Sequence, residues 1–118
     1  STWEATLMAS SLGVSNLVAF IDNNNMQSAT FTTDTHQSFY PVVEKYQAFG
    51  WEAVEVDGHN SEQIYKAVVN RQGDKPLMVI CKTTKGKGVS YMESVPIWHY
   101  RSPSPEEYRQ AIQEISEA

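Results

Sequence analysis

The amino-acid sequence predicts an α/β domain in which a mainly parallel sheet is flanked by helices. Two observations predict it. Residues 17–21 (LVAFI), 53–57 (AVEVD) and 76–83 (PLMVICKT) are short, largely apolar runs ended by Asp, Asp-Gly or a polar loop, as expected of strands buried in a parallel sheet. Between them lie longer stretches with apolar residues at helical spacing, closed by glycine or polar residues. The resulting order is helix, strand, helix, strand, helix, strand, loop, helix, and its crossovers should be right-handed. In such a sheet ligands bind beyond the carboxyl ends of the strands.

Each element has a local reason. Residues 2–13 carry Trp3, Leu7, Met8 and Leu12 at a spacing that fits one helical face, with Gly13 as a stop. Residues 37–49 carry Phe39, Val42, Val43, Tyr46 and Phe49, closed by Gly50, and Pro41 fits the first turn of that predicted helix. Residues 61–71 repeat Ile64, Tyr65, Ala67, Val68 and Val69 behind Asn60 or Ser61 as N-cap. The polar, glycine-bearing stretch 84–103 reads as one long loop, a length that is usually functional. Ser104-Pro105-Glu106-Glu107 then supplies a cap, a first-turn proline and an acid three residues after the cap, which opens a last helix to about residue 116.

The 118 residues, 41% hydrophobic and 19% charged, suit a single domain spanning 1–118. A net charge of −5 argues against nucleic acid as a partner. The single cysteine, Cys81, rules out a disulfide framework or cysteine-rich zinc site within the chain. It reads as a buried thiol of a reducing compartment, and a cytoplasmic location is expected. No apolar stretch is long enough to span a bilayer, and no signal-peptide pattern opens the chain. The opening "STWEA" does not begin with Met and reads as the interior of a longer sequence.

Both unusual loops, 23–33 and 84–103, follow strands and should sit at the same edge of the sheet. In the first, Asp22, Asn23, Asn24 and Asn25 offer carboxylate and amide oxygens of the kind a hard cation prefers. Magnesium takes few protein ligands and completes its shell with water and phosphate oxygens. The same residues also suit a plain turn, since asparagine tolerates left-handed backbone. In the second loop, Gly86 and Gly88 allow close backbone approach to a ligand, and Lys85 and Lys87 add charge suited to a phosphate. This is not the G-x-x-x-x-G-K-[ST] loop. His99 can transfer a proton or donate to an oxyanion, or be a structural loop histidine. His36, His59 and His99 lack zinc-ligand spacing, and neither Ser90 nor Cys81 has an adjacent base pattern.

Taken together, "STWEA", "NLVAFIDNNNMQ", "YQAFGWEAVEVDGH", "KPLMVICKTTKGKGVSYMES" and "WH" resemble the transketolase family in order and separation, over essentially the whole chain. The likeness is to the thiamine diphosphate-binding domain and to the N-terminal subunit of split bacterial transketolases. It implies a partial thiamine diphosphate-binding fold, namely the C-terminal portion of that domain. It also implies thiamine diphosphate held through magnesium or calcium, and transfer of a two-carbon ketol unit from a ketose to an aldose. By the resemblance, Asn24 and the backbone carbonyl of Met26 are metal ligands, and Lys85 and Gly86 lie in a loop that touches the cofactor. His99 contacts both the diphosphate and the donor sugar, as the catalytic residue. Glu4 belongs to an acidic cluster between subunits of a homo- or hetero-oligomer.

The sequence departs from the family in several places. It contains no G-D-G, the family's cofactor motif upstream of "STWEA", and no pyrimidine-binding domain. The resemblance therefore implies a partner chain or segment carrying G-D-G and a pyrimidine-binding subunit. After Gln27 stands Ser28-Ala29-Thr30 where the family often has Ile-Asp-Gly, and after His99 stands Tyr100-Arg101 where it often has glycine. Both changes point away from the standard sugar-phosphate substrate, with Tyr100 and Arg101 as candidate contacts to a different acceptor. Three readings follow: a fragment of a split transketolase-like subunit, a non-catalytic half-domain that pairs with another chain or with itself, or a domain whose 86–88 loop holds another phosphate compound.

Overall fold

The computed structural model describes residues 1–117. The chain forms two compact units, one made of Ser1–Asn23 and Ser38–Lys82, the other of Asn24–Gln37 and the chain from Thr83 onward.

The first unit contains the sheet. Strands β1 (Val18–Asn23), β4 (Glu52–Asp57) and β5 (Leu77–Lys82) lie in the order β1-β5-β4, and both pairings are parallel. The predicted α/β architecture is what the chain adopts. The most apolar run becomes the central strand, where Leu77, Val79 and Ile80 are almost wholly buried. Side chains alternate across a strand, so β5 feeds two cores. Met78 and Ile80 pack with Val42, Tyr46 and Trp51 on one face. Leu77, Val79 and Cys81 pack with Val56, and with Ile64, Ala67 and Val68, on the other. Each fully buried aliphatic side chain here contributes about 1.5–3 kcal/mol.

Helices α1 (Thr2–Ser11), α3 (Val42–Ala48) and α4 (Ser61–Val69) cover this sheet. Trp3 of α1 lies against the rings of Tyr46 and Phe49, with centroids 5.4 and 5.9 Å apart. The Trp51 indole donates to the Thr6 carbonyl at 2.9 Å. The packed face of α1 differs from the predicted stripe: Thr6 is buried and Ala9 meets the core, whereas Leu7, Met8 and Leu12 are exposed. The predicted 37–49 helix also divides. A single 3-10 turn, Gln37–Phe39, precedes a cis Tyr40–Pro41 bond, and α3 starts after Pro41 as its N-cap. The proline ring cannot supply a backbone N–H, so it begins the helix rather than lying within it. Lys45 closes the junction by donating to the carbonyls of Ser38 and Phe39. Asn60 caps α4, accepting from Glu62 N and Gln63 N at 3.1 Å each.

The second unit holds both loops and the last helix. After β1 comes a hairpin of two-residue strands, β2 (Met26–Gln27) and β3 (Thr30–Phe31), then the short helix α2 (Thr32–Thr35). The long loop after β5 is not structureless. It folds as consecutive turns through residue 95 and a 3-10 turn, Pro96–His99. Helix α5 (Pro105–Glu117) follows, and its capping box is formed as predicted: Ser104 Oγ accepts from Glu107 N at 3.2 Å, and Glu107 Oε2 accepts from Ser104 N at 2.7 Å. Farther along α5, Glu114 takes both Ser90 N and Ser90 Oγ, at 2.6 and 2.7 Å. Ser90 is thus a fastening point for the loop.

Candidate functional site

The last residues of β1 and β5, Asn23 and Lys82, are register partners in parallel strands. Asn24 and Thr83, the residues that open the second unit, therefore leave from the same sheet edge. Asn24, Met26, Lys85, Gly86 and His99 all belong to that unit, and Glu4 belongs to the first.

The asparagine run forms a defined turn. Asn24 Oδ1 accepts from Met26 N at 2.9 Å, the bond of an Asx turn. Asn25 takes φ +61°, a left-handed conformation that asparagine adopts more readily than most residues. The Asn25 carbonyl then accepts from Thr32 N at 2.9 Å. Asn23 is used differently: its side-chain oxygen accepts from the Tyr40 hydroxyl at 3.0 Å, within the first unit. Consecutive asparagines thus have separate tasks: one anchors the strand end and the next builds the turn. In kind, these residues fit the cation side of a metal–diphosphate group: a half-buried amide oxygen and a nearby backbone carbonyl. They are a partial ligand set. No cluster of three or more His, Cys, Asp or Glu able to hold a metal occurs among the described residues.

The Lys85 carbonyl accepts from Ser94 N at 2.9 Å, folding the loop back on itself. Gly86 sits at φ +77°, and a Cβ there would meet Met92 O at 2.6 Å. The close approach that requires this glycine is made by the loop's own backbone. Gly88, at φ +92°, has open space where its side chain would be, and its N–H donates to Glu93 Oε1 at 3.0 Å.

His99 is exposed, at the end of the 3-10 turn, with its ring edge-on to Tyr100 at 4.7 Å. The Tyr100 hydroxyl hydrogen-bonds Ser28 Oγ. The two positions where this chain departs from the family's common residues therefore touch, and they join the segments that follow β1 and β5. No local signal in the sequence marks this pair. Arg101 is half-exposed and is engaged within the chain. Its guanidinium bonds Glu107 Oε1 at 2.5 Å and lies over the Trp98 ring, 4.4 Å from the centroid. Glu4 is on the surface, in the first turn of α1. Burial, and then the nearby Asp22 charge, pushes the Cys81 thiol up, which disfavours a nucleophilic thiolate.

A cavity of about 400 Å³ lies in the first unit, lined by Asn23, Tyr40, Val42, Glu44 and Glu55 among others. Its carboxylates have the wrong sign for a diphosphate, and none of the predicted site residues lines it. No helix among the described residues is long and apolar enough to cross a membrane.

The parallel sheet with helices packed on it makes this an α/β protein. A family profile described as "Transketolase, thiamine diphosphate binding domain" matches residues 1–107. The chain belongs to this transketolase family. It is 38% identical to an apulose-4-phosphate transketolase subunit of Phocaeicola vulgatus, over 99% of this chain and 42% of that protein. It is 35% identical to "6-deoxy-6-sulfo-D-fructose transketolase subunit SqwG" of Clostridium sp. (strain MSTE9), over 96% of this chain and 42% of that protein. Among solved structures, the transketolase of Campylobacter jejuni superposes with a TM-score of 0.84 at 25% identity, over 97% of this chain and 18% of that one. The chain thus spans less than half the length of these relatives.

Proposed function

We propose that this chain contributes part of a thiamine diphosphate- and magnesium- or calcium-dependent enzyme that transfers a two-carbon ketol unit between sugars. The observation that carries this reading is the Asn24–Met26 turn at the end of β1, in a chain of the thiamine diphosphate-binding family. When bound, the cofactor supplies the carbanion chemistry that breaks and makes the carbon–carbon bond. The chain's own residues bind and orient. Asn24 Oδ1 and the Met26 carbonyl ligate the cation as hard oxygen donors. Lys85 supplies positive charge toward the diphosphate, beside a loop whose tight turn requires Gly86. His99, exposed and able to donate from either ring nitrogen, donates a hydrogen bond to the donor sugar's oxygen as charge develops there.

In this reading both compact units belong to one diphosphate-binding domain, 1–118. The relatives' names speak of subunits, and they differ in the sugar named. A partner chain or segment supplies G-D-G, a second subunit binds the pyrimidine ring, and Glu4 faces a subunit boundary. The exposed Leu7, Met8 and Leu12 of α1 support packing against further protein. The cytoplasm suits a buried free thiol.

The test is calorimetric titration of thiamine diphosphate with magnesium into the chain completed by its partners. Asn24→Ala is expected to weaken metal-dependent cofactor binding at least tenfold, roughly the loss of one charge-assisted ligand. His99→Ala is expected to lower kcat far more than cofactor affinity. An unchanged affinity for Asn24→Ala would reject the metal assignment.

A further inference from the structure

We infer that Glu107 is a positioning residue for His99, acting through Arg101 and Trp98. The inference rests on the reading of His99 given above and extends it to residues outside the loop motifs.

His99 lies on one 3-10 turn, Pro96–His99, and the chain on both sides of it is held. On one side, Trp98 Nε1 donates to the Tyr91 carbonyl at 2.8 Å, and the two rings meet at 5.1 Å. The Arg101 guanidinium covers the indole and bonds Glu107. The ring of contacts closes where the Tyr91 hydroxyl donates to the Glu107 carbonyl at 2.7 Å. On the other side, Tyr100 stands against the imidazole and is bonded to Ser28. The backbone within the turn adds Tyr100 N and Arg101 N donating to the Ile97 carbonyl at 3.2 and 3.1 Å. An exposed imidazole with no core packing of its own thus takes its place from its neighbours, and Glu107 is where the contacts around Trp98 converge.

Glu107 has two tasks that substitution separates. Its carboxylate completes the capping box of α5, and it holds Arg101. Glutamine also completes a capping box, so Glu107→Gln keeps the helix start while removing the charge that holds the guanidinium. Arg101→Lys approaches from the other partner: charge is kept, but the planar group over the indole is lost.

The experiment is NMR of the full chain, with the imidazole signal of His99 assigned by its loss in His99→Ala. In Glu107→Gln and in Arg101→Lys the His99 imidazole and Trp98 indole signals are expected to move. Those of His36 and His59 stay, and unfolding remains a single cooperative transition with a slightly lower melting temperature, since the charge-dependent part of the Glu107 bonds is lost. With partners and cofactor present, kcat is expected to fall roughly tenfold while cofactor affinity holds, because a small displacement of a reacting group is felt mainly in the chemical step. A His99 signal unmoved in both variants overturns the inference. So does an unchanged kcat where His99→Ala lowers it. If His99→Ala itself leaves kcat unaltered, the reading of His99 fails, and the NMR signal alone decides whether Glu107 positions it.

Discussion

At the scale of single residues, Gly86 and Gly88 look alike in the sequence and differ in their surroundings. Both have positive φ, so any side chain is strained at either position. At Gly86 a Cβ would also meet the backbone of Met92 at 2.6–2.7 Å, whereas at Gly88 nothing lies within 4 Å. Backbone atoms cannot swing aside as a lysine tip can. Gly86→Ala is therefore expected to lower stability by about 2 kcal/mol or more, and Gly88→Ala by about 1 kcal/mol. Urea unfolding followed at the tryptophans measures both, and equal losses would show that the Met92 contact relaxes freely. The neighbouring asparagines make the same point about identical residues. Asn23 and Asn24 are adjacent in sequence, yet one bonds Tyr40 and the other closes a turn on Met26. Composition could say that a turn follows β1 and the resemblance singles out Asn24, while the fold adds what each side chain bonds.

At the scale of elements, what was legible was local. Caps are local: Asn60 heads α4 with bonds to two backbone N–H groups, and Asn60→Ala is expected to cost about 1 kcal/mol in urea unfolding. Buried strands are local too, because β5 reads as an unbroken apolar run and is buried along almost all of its length. The rest depended on distant partners. The apolar stripe of α1 predicted the helix correctly, but Trp3, Thr6 and Ala9 meet the core and Leu7, Met8 and Leu12 do not. Two-residue strands are too short to show alternation, so the hairpin β2–β3 left no periodic signal. Pro41 was expected in the first turn of one helix over 37–49, and it stands instead after a separate 3-10 turn, as the N-cap of α3. In the candidate site, Asn24 and Met26 are two residues apart and legible as a pair. Ser28 and Tyr100 are 72 residues apart, and nothing in the local pattern joins them.

At the scale of the whole molecule, the two units are stabilised by forces that respond differently to acid. The sheet of the first unit is held by apolar side chains on both faces of β5, and burial of that kind does not titrate. In the second unit α5 is tied to the preceding loop by carboxylates. The Ser104 backbone N–H, and then the Arg101 guanidinium, hold the Glu107 carboxyl below its usual range. The Gln110 amide, followed by Ser90 N–H and Oγ, does the same for Glu114. A folded-state pKa lower than the unfolded one adds stability that is fully present above the usual carboxylate value, about 4.3. That stability is lost as pH falls through the depressed values. Both groups are near the surface, so salt weakens the Arg101 pair further. Hydrogen exchange between pH 7 and about pH 3 is expected to show α5 and the 84–95 turns losing protection while the β5 amides keep theirs. The variant carrying both Glu107→Gln and Glu114→Gln is expected to lose this difference in acid response, since its amides keep acceptors without a titrating group. If both units lose protection together in the wild-type chain, acid acts on the fold as one cooperative whole, and the carboxylates of α5 do not govern the second unit.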